Sequence, residues 1–286
     1  MPQNFDIRPL SPALGAEILG LDITRPIDAK TLAELMQAWI DHLLLLFRKP
    51  GMTQEEQLRF ARCFGRVGER PSPKESRAED TSTLHPAFML ISNIRKDGKP
   101  IGSLPDGEML FHHDTIYKPQ PHLGTLLYAM EVPSVGGNTK FNNLYSAWDA
   151  LPDRLKQKLD GRHAEHTFDY VVYDRRTGKG EDADMLDVCD HPAIITHPRS
   201  HRRALYIDRL MTMRIEGLGD DENQAVLDEV FDFCERPEFV YEHVWTPGDL
   251  LLWDNLYSAH ARTDFPEGER RLLRRCQVEA DDVPRA

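Results

Sequence analysis

Short apolar runs alternate with amphipathic stretches along this chain, and the two patterns call for different elements. Leu32, Leu35, Met36, Trp39 and Leu43 recur at helical spacing behind Asp28 and Thr31, with Glu34 placed to complete a capping box on the threonine. Thr53 and Glu56 repeat the pattern ahead of Leu58, Phe60, Ala61 and Phe64, and Gly65 supplies a stop. A third helix is predicted over Ala147 to Leu159, where Pro152 demands a kink or a fresh start, and a fourth from about Asp221 to Cys234, ended by Pro237. Leu43–Phe47, Leu126–Met130, Ala204–Ile207 and Leu250–Trp253 are instead short continuous apolar runs bounded by turn or charged residues, the signature of buried strands. They are not spaced as βαβ units, so a doubly wound parallel sheet is not expected. The pattern predicts a mainly β fold with flanking α-helices, built on a sandwich or jelly-roll core.

Composition narrows the class. A chain of 286 residues, 40% hydrophobic and 29% charged, can bury a large core, and no internal repeat or low-complexity segment divides it. It reads as a single domain over 1–286, with polar loops near 66–84 and 174–190 that could serve as lids. Its 47 acidic against 35 basic residues give a formal charge of -12, the wrong balance for a general nucleic-acid or anionic-membrane binder. The longest apolar run is too short to span a bilayer and the first residues lack a secretory pattern. Cys63, Cys189, Cys234 and Cys276 are scattered, as reduced thiols would be. A cytoplasmic location is therefore expected.

Candidate chemistry begins at Phe111-His112-His113-Asp114-Thr115. On an extended strand His112 and Asp114 would share a face and His113 would point away into packing. A His-x-Asp triplet alone is weak, and a third ligand has to come from elsewhere. His260 qualifies, because it ends the loop that follows the buried run Leu250–Trp253 and the turn residues Asp254 and Asn255. Two imidazoles and one carboxylate on one side of a metal leave the other positions open, which suits non-haem Fe(II), whereas zinc would favour a tetrahedral site. Downstream, Arg271, Leu273 and Arg275 would share one face of a strand, turning two guanidinium groups over the core. Such cations call for anionic partners, unless the segment is simply a solvated basic strand end.

Taken together, Phe-His-His-Asp at 111–114, Pro133-Ser134-Val135-Gly136-Gly137-Asn138-Thr139, Trp253-Asp254-Asn255 with His260, and Arg271 to Arg275 resemble the taurine dioxygenase / 2,4-dichlorophenoxyacetate dioxygenase family of Fe(II)/2-oxoglutarate oxygenases. The likeness extends to Leu14–Ile18, Gly20-Leu21-Asp22, Phe60–Gly65, Thr196-His197-Pro198 and Arg214–Leu218. It implies a double-stranded β-helix core. It also implies His112, Asp114 and His260 as catalytic iron ligands, and Arg271 with Thr139 as the holders of the 2-oxoglutarate distal carboxylate. O2 would be the second co-substrate, succinate and CO2 would be released, and the substrate would be hydroxylated, with bond cleavage where the new hydroxyl lies beside a heteroatom. Arg275 matches a position that faces the acidic end of the substrate in sulfonate-using relatives, with a structural ion pair as its alternative. Arg70 falls near the place where the taurine enzyme carries a substrate-contacting histidine, and Tyr117 could line the pocket.

The expected substrate is thus a small organic anion, either a carboxylate such as an aryloxyalkanoate or an alkylsulfonate or sulfate ester. Relatives suggest a homo-oligomer, a dimer or tetramer. Two different readings compete: a catalytically silent metal-dependent ligand binder on the same fold, and a zinc hydrolase. The second would have no use for a distal arginine such as Arg271.

Overall fold

The computed structural model describes residues 4–69, 84–104, 107–168 and 188–286. Among the described residues most of the regular structure is β, accompanied by five α-helices. The larger sheet has seven strands, in spatial order Asp6–Pro9, Ala16–Leu19, Leu44–Phe47, Leu250–Asp254, His122–Glu131, Leu272–Glu279 and Met89–Ser92. A four-stranded sheet runs Val240–His243, Thr139–Asn142, His260–Arg262, Met109–His112, with every pairing antiparallel.

The continuous apolar runs follow from a large sheet covered on both faces. Leu44, Leu46, Leu127, Ala129, Leu251, Trp253 and Leu273 join one core cluster, together with Phe111 and Phe141 of the smaller sheet. Leu45, Phe47, Leu126, Leu250, Leu252, Cys276 and Val278 point the other way, into a second cluster with Leu35, Trp39, Leu58 and Phe60. Those last four belong to α1 (Ala29–His42) and α2 (Gln54–Ala61), which roof that face. Alternate residues of each strand feed different cores, so both must be apolar.

Local signals set the helix ends, with two corrections. Asp28, not Thr31, is the N-cap of α1; its carboxylate accepts from the Thr31 main-chain N–H at 3.0 Å and from the Thr31 hydroxyl at 2.7 Å. The two-oxygen acceptor wins because it satisfies both donors at once. Around α2 the capping box of Thr53 and Glu56 forms as expected, but the helix ends before Gly65, with Arg62 as C-cap. At Pro152 the chain makes a fresh start: α3 (Leu144–Ala150) stops, and α4 (Asp153–Leu159) begins immediately after the proline. The α5 helix covers Asp220–Cys234. The expected lid loops lie largely outside the described residues.

Candidate active site

The smaller sheet brings the two distant histidines together. His260 is the direct cross-strand partner of His112, their ring centroids are 4.1 Å apart, and Phe141 flanks His260 on its other side. The strand ends at His112, so Asp114 is not on it as the alternation argument assumed; it lies in the turn that follows, where Thr115 adopts a left-handed φ of 61°. Asn255 shapes that turn. Its side-chain oxygen accepts from the Asp114 main-chain N–H at 2.7 Å, and its amide donates to the carbonyls of Asp114 and His122, each at 2.9 Å. Donor atoms of His112, Asp114 and His260 then lie within 4.8 Å of one another, and all three residues are buried.

The donor chemistry fits a divalent metal. His112 donates from Nδ1 to the Leu110 carbonyl at 2.9 Å, which leaves the Nε2 lone pair free for a ligand. Burial, reinforced by the neighbouring His112, pushes His260 well below an ordinary imidazole, so it is neutral and able to donate a lone pair. Burial alone would raise the Asp114 carboxyl, but the Arg275 guanidinium, followed by His260 and His112, more than offsets it and holds the group well below the usual carboxylate range.

Asp114 also ties the two sheets together. Its Oδ1 faces Arg275 Nη1 at 3.1 Å, and its Oδ2 accepts from Thr125 at 3.1 Å and from Gln277 at 2.9 Å. Thr125 and Gln277 are cross-strand partners on the large sheet, and Gln277 follows Arg275 by one full strand period. Of the two readings for Arg275, the ion pair is present; Nη2 contacts the Met89 sulfur at 3.0 Å and Nε is buried with no hydrogen-bond partner. Sequence reasoning missed Thr125 and Gln277, although the period-two spacing from Arg275 was a usable signal for Gln277. His122, which matches no sequence motif, lies close enough to Asp114 to feel its charge, and burial lowers it to about 4.

A second cradle forms around Arg271, which is 2% exposed. Its Nε donates to the Gly137 carbonyl at 3.2 Å, its Nη1 is buried with no partner, and no carboxylate among the described residues pairs with it. Burial, together with the nearby Arg262 charge, lowers it to about 9, and it remains cationic at neutral pH. Gly137 has φ 63°, and a Cβ there would stand 3.0 Å from Pro133 Cγ, so the glycine serves the left-handed turn and the close approach of Pro133. Thr139, two residues on, is buried and pairs across the sheet with Arg262. A buried guanidinium with an unpaired Nη1 and no carboxylate partner among the described residues is the expected receptor for a carboxylate supplied from outside.

The remaining sequence candidates are peripheral or not placed. Tyr117 is half-buried with its ring 5.1 Å from Phe168, itself 60% exposed. Arg70 lies outside the described residues. His113 does point away from the metal donors, as expected, and is fully buried against Asp208 and Tyr206. Trp253 is core, packed on Phe141 and His260.

Comparison with known proteins decides the class. The profile of the taurine catabolism dioxygenase TauD, TfdA family matches residues 6–277. This chain belongs to that family. It is an Fe(II)- and 2-oxoglutarate-dependent dioxygenase that uses O2. The chain is 34% identical to pentalenolactone F synthase of Streptomyces avermitilis, over 94% of this chain and 92% of that protein. It is 31% identical to the (S)-phenoxypropionate/alpha-ketoglutarate-dioxygenase of Sphingobium herbicidovorans, over 98% and 97% of the two chains. Among solved structures, AAD-2 in complex with Mn(II) and N-oxalylglycine superposes with a TM-score of 0.80 at 27% identity, covering 98% of each chain. No helix among the described residues is long and apolar enough to cross a membrane.

Proposed function

We propose that this dioxygenase holds Fe(II) on His112, Asp114 and His260, holds the distal carboxylate of 2-oxoglutarate on Arg271 and Thr139, and presents Arg275 to a small anionic organic substrate. The observation that carries the reading is Arg271: a buried cation with an unpaired Nη1 and no anionic partner among the described residues, which a carboxylate co-substrate would supply. A zinc hydrolase would leave that cation unexplained. The metal, when bound, supplies the activation of O2 that couples oxidative decarboxylation of 2-oxoglutarate to hydroxylation of the substrate, with release of succinate and CO2.

The chain's own residues do the rest. Thr125, Gln277 and Arg275 hold the Asp114 carboxylate ionised and oriented, and Asn255 fixes the turn that carries it. Arg275 keeps a buried, unpartnered Nε and is 19% exposed at its side chain, so it can contact Asp114 and an anionic substrate together. The relative named for (S)-phenoxypropionate favours a carboxylate over a sulfonate as that anion. Two sheets sharing a common core, antiparallel except where Ala16–Leu19 runs parallel to Leu44–Phe47, support a double-stranded β-helix.

The test is a co-substrate assay. Succinate formation is followed with Fe(II) and 2-oxoglutarate in the presence of aryloxyalkanoates, other small carboxylates and alkylsulfonates. Stimulation by a carboxylate with matched product formation supports the reading; stimulation by sulfonates alone reverses the substrate class.

A further inference from the structure

Thr139 receives a hydrogen bond from a residue that neither the ligand set nor the arginine cradle includes. The Trp245 indole Nε1 donates to Thr139 Oγ1 at 3.0 Å, and both residues are buried. An indole N–H can only donate, so this contact occupies a lone pair of the hydroxyl and excludes its hydrogen from that direction. Among the described residues no hydrogen bond donated by the Thr139 hydroxyl is found, so that hydrogen is left to point elsewhere. The indole is itself fixed. His243, the cross-strand partner of Thr139, meets its ring edge-to-face at 4.7 Å and 87°. His243 Nδ1 lies 3.0 Å from the Tyr241 hydroxyl and its Nε2 3.3 Å from Asp249 Oδ2. Asp249 is fully buried and also accepts from Arg48 at 2.7 Å and from the Thr246 main-chain N–H, next to Trp245, at 3.0 Å.

We propose that Trp245 is a positioning residue for the co-substrate: by donating to Thr139 it turns the threonine hydroxyl into an oriented donor toward the distal carboxylate of 2-oxoglutarate. The inference rests on the reading that Thr139 and Arg271 hold that carboxylate. It predicts an effect confined to ligands that carry the distal group, because the donor is aimed there before the ligand arrives. A tryptophan that was merely core would change stability without distinguishing such ligands.

The experiment is calorimetric titration of the Mn(II)-loaded protein without O2, using 2-oxoglutarate and 2-oxobutyrate, which keeps the keto-acid end and lacks the distal carboxylate. Thr139→Val should weaken 2-oxoglutarate about tenfold or more, the scale of a lost hydrogen bond to a charged group, and Trp245→Phe about threefold to tenfold. Neither should change 2-oxobutyrate, and the double variant should match Thr139→Val, since the two act through one contact. Because Trp245→Phe removes buried volume, the indole 15N–1H resonance of the unaltered protein loaded with Zn(II) gives a second reading. It should shift with 2-oxoglutarate and not with 2-oxobutyrate. Wild-type affinity in Trp245→Phe, equal weakening of both ligands, or an indole resonance indifferent to the distal group would overturn the proposal. Wild-type 2-oxoglutarate affinity in Thr139→Val would instead overturn the underlying placement of the carboxylate.

Discussion

Asp208 binds His113 twice: one carboxylate oxygen accepts from the His113 main-chain N–H at 3.1 Å and sits 2.9 Å from its ring Nδ1. The other oxygen accepts from the Met211 main-chain N–H at 2.7 Å. Burial would raise the Asp208 carboxyl, but the hydrogen bond and charge of His113 hold it below its ordinary value. His113 stands between His112 and Asp114, so this clamp fixes the backbone that spaces two of the proposed metal ligands.

Asp208→Ala should therefore cost stability as well as metal affinity. Leaving the buried His113 and Met211 donors unpaired costs about 3 kcal/mol, read as a lowered urea midpoint. Asp208→Asn, which keeps an acceptor, should cost less. A stability unchanged by the alanine variant would show that the clamp is idle.

Removal of Arg271 should separate co-substrate from metal. Arg271→Ala is expected to raise the 2-oxoglutarate requirement about 10- to 100-fold, the scale of a lost charge-assisted contact. Fe(II) or Mn(II) binding measured alone should stay near wild type. A metal affinity that falls in parallel would place Arg271 elsewhere in the scheme.

The large sheet reaches the metal through Asp114. Gln277→Leu and Thr125→Val each remove a donor from Asp114 Oδ2, and each should weaken metal binding about tenfold. Equilibrium titration with Mn(II) checks this, and the pair should couple because both act on one oxygen.

Much of this was readable beforehand, and the limits have physical causes. The helix caps and the strands buried on both faces are local patterns, so α2, α5 and the runs at Leu44–Phe47 and Leu250–Asp254 were visible in the sequence. The metal donors were visible as motifs. Arg275's partner was not, because it depends on how the strand Leu272–Glu279 registers against His122–Glu131 beneath the turn at Asp114. Trp245 and Asp208 carry no sequence signal at all: each acts through a contact about a hundred residues away in the chain.

The loop leading to His260 carries a pH-sensitive group. Burial raises Asp254 to about 7, against the smaller opposing effect of the Tyr257 and Leu256 main-chain N–H groups that its Oδ1 caps. A carboxyl raised on folding contributes stability that is fully present below its unfolded value of 3.8 and is lost as pH rises through about 7. Asp254→Asn cannot ionise. Its stability relative to wild type should climb between about pH 4 and pH 7, by at most about 4 kcal/mol, and then level off. Parallel denaturation curves across that range would contradict the assignment.

The central claim is that His112, Asp114 and His260 assemble one iron site to which 2-oxoglutarate binds. The direct measurement is anaerobic addition of Fe(II) and 2-oxoglutarate while watching for a weak visible metal-to-ligand charge-transfer band. The account predicts the band in the wild-type protein and in Asp254→Asn, and its loss in His112→Ala, Asp114→Ala and His260→Ala. A folded wild-type protein that shows no band, or a band that survives removal of any of the three side chains, would contradict it.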